Sequence, residues 1–343
     1  MIRCLTAAAL FAGAAASATS SWVLQTSPTS ERLRAVSAAS DTVAWAGGNR
    51  GTVVRTVDGG ATWTRAAVPG ADDLDFRDIE ALSADIAYVL AIGAGEKSRI
   101  YKTADGGRTW ALQFTNPDSR AFYDAIAFWD ANTGLAVGDP VEGRFTVIRT
   151  TDGGKTWTRV PAANMPEALP GDGAFAASGT CLVVWGSRHA WFGSGGGPRA
   201  RVYRSADQGL TWTVADTPVM AGTASAGIFS LAFSDADRGI AVGGDYRREL
   251  DTGDNLAVTA DGGRTWTRPG AARLRGVRSA VAYVPGTAGR RLLAAGPGGT
   301  DSSDDSGRTW APLGDNGFHA LSISPSGGLA WAVGEQGRIA TLH

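Results

Sequence analysis

The sequence predicts an all-β protein: a seven-bladed β-propeller with four antiparallel strands per blade, its ring closed by the N-terminal strand completing the last blade. Three observations predict it. Six segments share the form Ser/Thr-x-Asp-x-Gly-x-Thr-Trp, from Thr56–Trp63 (TVDGGATW) to Ser303–Trp310 (SDDSGRTW). Their aspartates, Asp58, Asp105, Asp152, Asp207, Asp261 and Asp305, stand 44 to 55 residues apart, the length of a four-stranded blade. A seventh unit without such a segment ends the chain, and a strand that would complete it stands near the N-terminus.

The chain opens with MIRCLTAAALFAGAAASA, in which Arg3 precedes a largely apolar run and Ala16 and Ala18 supply small residues. This pattern predicts a secretory signal over residues 1–18, cut after Ala18, and a single propeller over 19–343. The run is too short to span a bilayer well, and Cys4 lies too early to carry a lipid, so no membrane anchor is expected. A secreted, periplasmic protein follows.

Each unit then repeats four strand signals. In the third unit, Asp124–Trp129 opens and Leu135–Gly138 follows, a small-apolar run ending in glycine. Thr146–Arg149 leads into the Asp-x-Gly turn, and Thr-Trp starts the outgoing strand. An aspartate at such a turn accepts backbone N–H bonds, and glycine takes positive φ freely, so the six aspartates are read as structural. The seventh unit has His319–Ile323, Leu329–Gly334 and Arg338–Thr341. Its aspartate would fall just past the last residue, His343. Ser21-Trp22-Val23-Leu24-Gln25 matches Thr62-Trp63-Thr64-Arg65, so the mature N-terminus supplies the fourth strand and removes two open sheet edges.

Composition excludes several functions. With 32 Lys+Arg against 33 Asp+Glu in 343 residues, the surface is not built to grip nucleic acid. Two cysteines exclude a disulfide scaffold, and Cys181, within Cys181–Trp185, reads as a buried inert thiol. The histidines, His189, His319 and His343, are too scattered for a metal site. The glycine-rich stretch 193–198 lacks the Lys-Ser/Thr of a phosphate loop, so no cofactor is expected.

The face opposite the repeat turns holds the candidate site. Aligning the starts of the innermost strands puts Arg34, Arg77, Arg278 and His319, from blades 1, 2, 6 and 7, in an arc at the mouth of the central channel. Tyr123 takes the same place in blade 3, and blade 4 does not align. Arginines suit a carboxylate, a peptide segment or a sugar acid. Alternatively they bridge blades through Asp78, Asp124 or backbone carbonyls. The loops between second and third strands add Asp139, Asp245, Tyr246 and Arg247 as binding candidates.

The repeats are identified as Asp-box (BNR) repeats, which are turn-forming and carry no function of their own. Gly138–Val141, Phe175–Thr180 and Gly243–Tyr246 resemble segments of bacterial propellers related to the photosystem II assembly factor Ycf48/HCF136. That resemblance covers residues 19–343 and implies a non-enzymatic seven-bladed propeller that binds newly made membrane protein through an arginine patch. A monomer that binds a protein segment or an anionic small molecule is expected. The alternative is a sialidase-like glycoside hydrolase. It would require three arginines, a Tyr–Glu pair and an acid–base aspartate. Tyr246 and Glu249 share one loop rather than facing across the channel, and Phe76-Arg77-Asp78-Ile79 lacks the proline that usually follows such a start. Asp139 and Asp245 are the candidate carboxylate pair for other glycosidases.

Overall fold

The computed structural model describes residues 21–270 and 272–343, so the expected leader at 1–18 lies outside the described residues. Seven antiparallel sheets are present. Their innermost strands are Leu33–Ala38, Asp75–Ala81, Tyr123–Phe128, Leu182–Trp185, Ala226–Phe233, Ala280–Tyr283 and Ala320–Ile323. Each of these neighbours the next, and the seventh neighbours the first, so the ring is closed. Closure runs through the N-terminal strand Val23–Leu24, which pairs with the last strand at Val23–Thr341 and Leu24–Ala340.

Six sheets have four strands. In blade 5 the fourth is reduced to one antiparallel pair, Val258 with Thr267. Pro269 follows two residues later and has no N–H with which to extend the ladder.

The repeat turns are built alike. Asp58 accepts hydrogen bonds from Thr56 Oγ1 (2.8 Å), Thr62 N (2.9 Å) and Thr62 Oγ1 (2.6 Å), while Thr56 Oγ1 accepts from Gly60 N (2.9 Å). The same net surrounds Asp105, Asp152, Asp207, Asp261 and Asp305. Most of the acceptor capacity of these carboxylates is taken up within their own turns.

The turns also lock neighbouring blades. In blades 1, 2 and 4 the second strand places an aromatic side chain beneath the next turn. Trp191 Nε1 donates to Gly262 O (2.8 Å), and Tyr88 Oη donates to Gly153 O (2.8 Å). Trp45 and Trp191 are fully buried there. One residue before the turn, Arg55 reaches Gly106 O (2.6 Å), Lys102 reaches Gly153 O (2.9 Å) and Arg149 reaches Gln208 O (3.0 Å). Hydroxyls lace the innermost strands along the channel: Ser37 Oγ accepts from Ala81 N, Ser322 Oγ from Ala38 N and Ser230 Oγ from Val281 N, each at 3.0 Å.

Candidate functional site

The innermost strands begin with a built-in irregularity. In blades 1, 2, 3 and 5 the pairing skips one residue near the start of the strand: Arg34, Arg77, Asp124 and Phe229. Such a bulge re-aims the extra side chain. Here all four point into the channel mouth, where they line a cavity of about 550 Å³. Ser279 and His319 occupy the corresponding places in blades 6 and 7 and line the same cavity. The second strand ends in a glycine opposite the residue just before. A Cβ on Gly48 would sit 3.0 Å from Leu33 Cα, and one on Gly296 would sit 3.1 Å from Arg278 Cα. These glycines mark the equivalent position in each of these blades.

This register corrects the expected arc in two blades by one residue. Arg278 does not occupy the place of Arg34; it occupies that of Leu33, Phe76, Tyr123, Ile228 and Phe318, all buried core positions. It is fully buried and pairs with Asp301 at 2.5 Å. Tyr123 is likewise core, edge-on to Phe114 at 5.5 Å, and its neighbour Asp124 faces the mouth instead. The side-chain period of a strand is two, so a one-residue slip exchanges a core side chain for a channel side chain.

Of the loop candidates, Asp139 and Tyr246 line the cavity. Asp245 is buried and turned into its own loop, accepting from Arg247 N (3.0 Å) and pairing with Arg248 (3.2 Å). Arg247 is exposed and outside the cavity wall. Glu249 lines the wall with Tyr246.

Blade 4, which did not align, explains itself in three dimensions. Before its first strand, the segment 174–180 crosses the mouth. Ala174 N donates to Asp139 Oδ1 (2.9 Å). Arg77 Nη1 donates to Ala176 O and Arg34 Nη2 to Ala177 O, both at 3.1 Å. Ser178 Oγ reaches Ser279 O (2.7 Å), and Thr180 Oγ1 meets Ser230 Oγ (2.7 Å). Phe175 packs edge-on against Phe229 at 4.8 Å. The chain thus lays its own peptide over the channel, tied to blades 1, 2, 3, 5 and 6. Its contacts combine the two expected roles of the arginines: they bridge blades through backbone carbonyls, and they face a cavity.

The charges around this plug differ in how well they are balanced. Arg77 is paired with Asp75 (2.7 Å), and Arg32 with Glu335 (2.8 Å). Arg34 forms no ion pair with a carboxylate of the described residues, and its Nε is buried without a hydrogen-bond partner. Burial, then the charges of Arg77 and Arg32, pull its pKa down to about 9. His319 Nε2 lies 2.8 Å from Glu335 Oε1 and Nδ1 lies 3.5 Å from Arg34 Nη1. A carboxylate only accepts and a guanidinium only donates, so this arrangement requires the Nε2–H tautomer. Burial and Arg34 push the His319 pKa down to about 4, so the ring is neutral at physiological pH.

Four carboxylates of blades 2 and 3 shift upward. Burial raises Asp78, whose oxygens accept from Ile79 N and Ile126 N at 2.7 Å each. Burial and then Asp78 raise Glu80; burial and then Asp139 raise Asp124; burial pushes Asp139 up to about 6. Each holds its proton more tightly folded than unfolded. Their contribution to stability is therefore full below the ordinary carboxylate pKa of about 4 and is lost as pH rises through the folded values. His319 acts oppositely, losing stability as pH falls from about 6.5 toward its folded value. The turn aspartates, with Asp105, Asp152 and Asp261 drawn down to about 2, lose theirs only below about pH 4. Four groups outweigh one, so the melting temperature is expected to rise as pH falls from 8 to about 5 and to drop below about 4. Calorimetry showing a steady fall from pH 8 to 5 would contradict this balance.

Among the described residues no helix is long and apolar enough to cross a membrane, and no three His, Cys, Asp or Glu side chains are grouped to hold a metal. Cys181 is free and buried.

No family model matches the chain, and no curated protein does. Solved structures do. YCF48 bound to a D1 peptide is 17% identical, covers 94% of this chain and 96% of its own, and superposes with a TM-score of 0.64. YCF48 from Cyanidioschyzon merolae is 20% identical over 94% of this chain and 99% of its own, with a TM-score of 0.62. A GH74 xyloglucanase from Xanthomonas campestris is 19% identical over 94% of this chain but 53% of its own, at 0.63. At these identities the likeness concerns the fold: this chain is a seven-bladed propeller resembling Ycf48.

Proposed function

We propose that this protein is a secreted, non-enzymatic propeller that binds a protein segment or anionic ligand at the channel mouth, in the manner of an assembly or stability factor of the Ycf48/HCF136 type. In this reading the six repeat turns are Asp-boxes with a purely structural role, on the face away from the ligand. One observation carries the proposal. Arg34 is a guanidinium largely held out of water at the wall of a 550 Å³ cavity without a carboxylate partner among the described residues. An uncompensated, partly desolvated cation binds an anion more strongly than one in water does. The bound D1 peptide of the YCF48 structure supports a peptide as the source of that anion.

The test compares acetyl-Ala-Ala-Ala with a free carboxylate against its amide, by ligand-observed NMR titration. The acid is expected to bind at least about tenfold more tightly, with the preference lost in Arg34→Ala and kept in Arg247→Ala. Equal binding of acid and amide would overturn the proposal. A glycoside hydrolase of sialidase-like type is the second reading, favoured by the shared placement of Asp124 and Asp139 on this cavity wall. Turnover of fluorogenic glycosides that disappears in Asp139→Asn would replace the binding reading with it.

A further inference from the structure

The cavity wall has two poles. Arg34 and Arg77 come from blades 1 and 2, while Asp124 and Asp139 both come from blade 3. Asp124 is the single acid among the six side chains that begin the innermost strands and face the mouth. It is 2% exposed, and its Oδ2 is buried with no hydrogen-bond partner, although the residue lines the cavity. Among the described residues neither Asp124 nor Asp139 forms an ion pair. Asp139 gives one oxygen to Ala174 N (2.9 Å), and its charge adds to burial in holding the Asp124 proton.

The plug passes between the poles. Ala176 presents its N–H toward Asp124 and its C=O to Arg77 Nη1. The wall near Asp124 is aromatic, with Phe122, Phe175, Phe229 and Tyr246, and ring faces attract a desolvated cation.

We propose that the mouth recognises a peptide carrying a basic side chain next to a carboxylate, with Asp124 and Asp139 as the cation subsite opposite Arg34. This rests on the peptide-binding reading and names the chemistry of its ligand. The anion neutralises Arg34, and the ammonium supplies the positive charge that favours the ionised forms of Asp124 and Asp139. The ammonium also supplies the donor that Asp124 Oδ2 lacks.

Calorimetric titration at pH 7.5 of the mature wild-type protein with acetyl-Ala-Ala-Lys and acetyl-Ala-Ala-norleucine, both with free carboxylates, tests it. The lysine peptide is expected to bind at least about tenfold more tightly. Asp139→Asn should erase that preference, and Arg247→Ala, outside the cavity wall, should keep it. Acetyl-Ala-Lys-Asp-Ala-amide separates a side-chain carboxylate from a terminal one as the anion. Equal affinity for lysine and norleucine peptides in the wild type overturns the cation subsite and means that Asp124 and Asp139 serve the plug alone, with the anion-binding reading intact. Failure of every peptide to bind overturns both.

Discussion

Trp22→Ala is expected to destabilise the propeller by about 3–5 kcal/mol, the range for truncating a large buried aromatic side chain. The strand it precedes contributes only two residue pairs to the last sheet. Gln25 extends that hold, donating from N to Ile339 O (2.9 Å) and from Nε2 to Thr341 Oγ1 (3.0 Å). Two short pairs are weak by themselves, and the indole anchors them. Trp22 is 8% exposed, lies 5.2 Å from the Phe318 ring, and donates Nε1–H to Thr300 Oγ1 in blade 6 (3.0 Å). One side chain thus joins the closing strand to two blades. Trp22→Phe keeps most of the packing and loses the hydrogen bond, so a loss of about 1 kcal/mol is expected. Urea unfolding of both variants measures the difference. A loss below about 1 kcal/mol for Trp22→Ala would mean that the ring closes without this anchor.

The second large effect concerns the arginine that is hidden rather than displayed. Asp301→Ala is expected to cost about 3–5 kcal/mol, because it strands the fully buried Arg278 without its counter-charge. Asp301 also holds Arg275 (2.9 Å), which bonds Thr300 O (3.1 Å) and Gly314 O (3.2 Å), so the loss spreads through blade 6. Arg278→Met with Asp301→Leu removes both charges together, and this pair should be clearly more stable than Asp301→Ala alone. Peptide binding should survive in that double variant, since Arg278 does not reach the mouth. If the double variant folds but no longer binds, Arg278 belongs to the site after all.

Much of the architecture was legible because it is local. Asp58 and its five counterparts bond to hydroxyls and N–H groups within four residues, so the turn is written in one short segment each time. The match of Trp22 to Trp63 likewise revealed the closing strand, since both begin outgoing strands. The site was legible in part. Arg34, Arg77, His319, Asp139 and Tyr246 converge on one cavity as their positions along the blades implied. Asp124 and Ser279 were missed by one residue, in favour of Tyr123 and Arg278. The signal was present in the apolar residues: Leu33, Phe76 and Phe318 mark the core position before the mouth, and Tyr123 is the residue of blade 3 that matches them.

The plug shows the other limit. Its residues stand out in the sequence as a string, Phe175–Thr180, and blade 4 does not align with the others, but nothing local says where such a string goes. Its partners lie 143 residues away at Arg34 and 101 away at Ser279.

The order of the residues decided how many blades form and how the ring shuts, because those features depend on short-range turn chemistry repeated at a steady interval. Folding in space decided which face each inner-strand side chain shows and what covers the channel. Both turn on a single-residue bulge and on bonds between distant blades, and a strand that alternates every second residue reverses its exposure with the smallest shift in pairing.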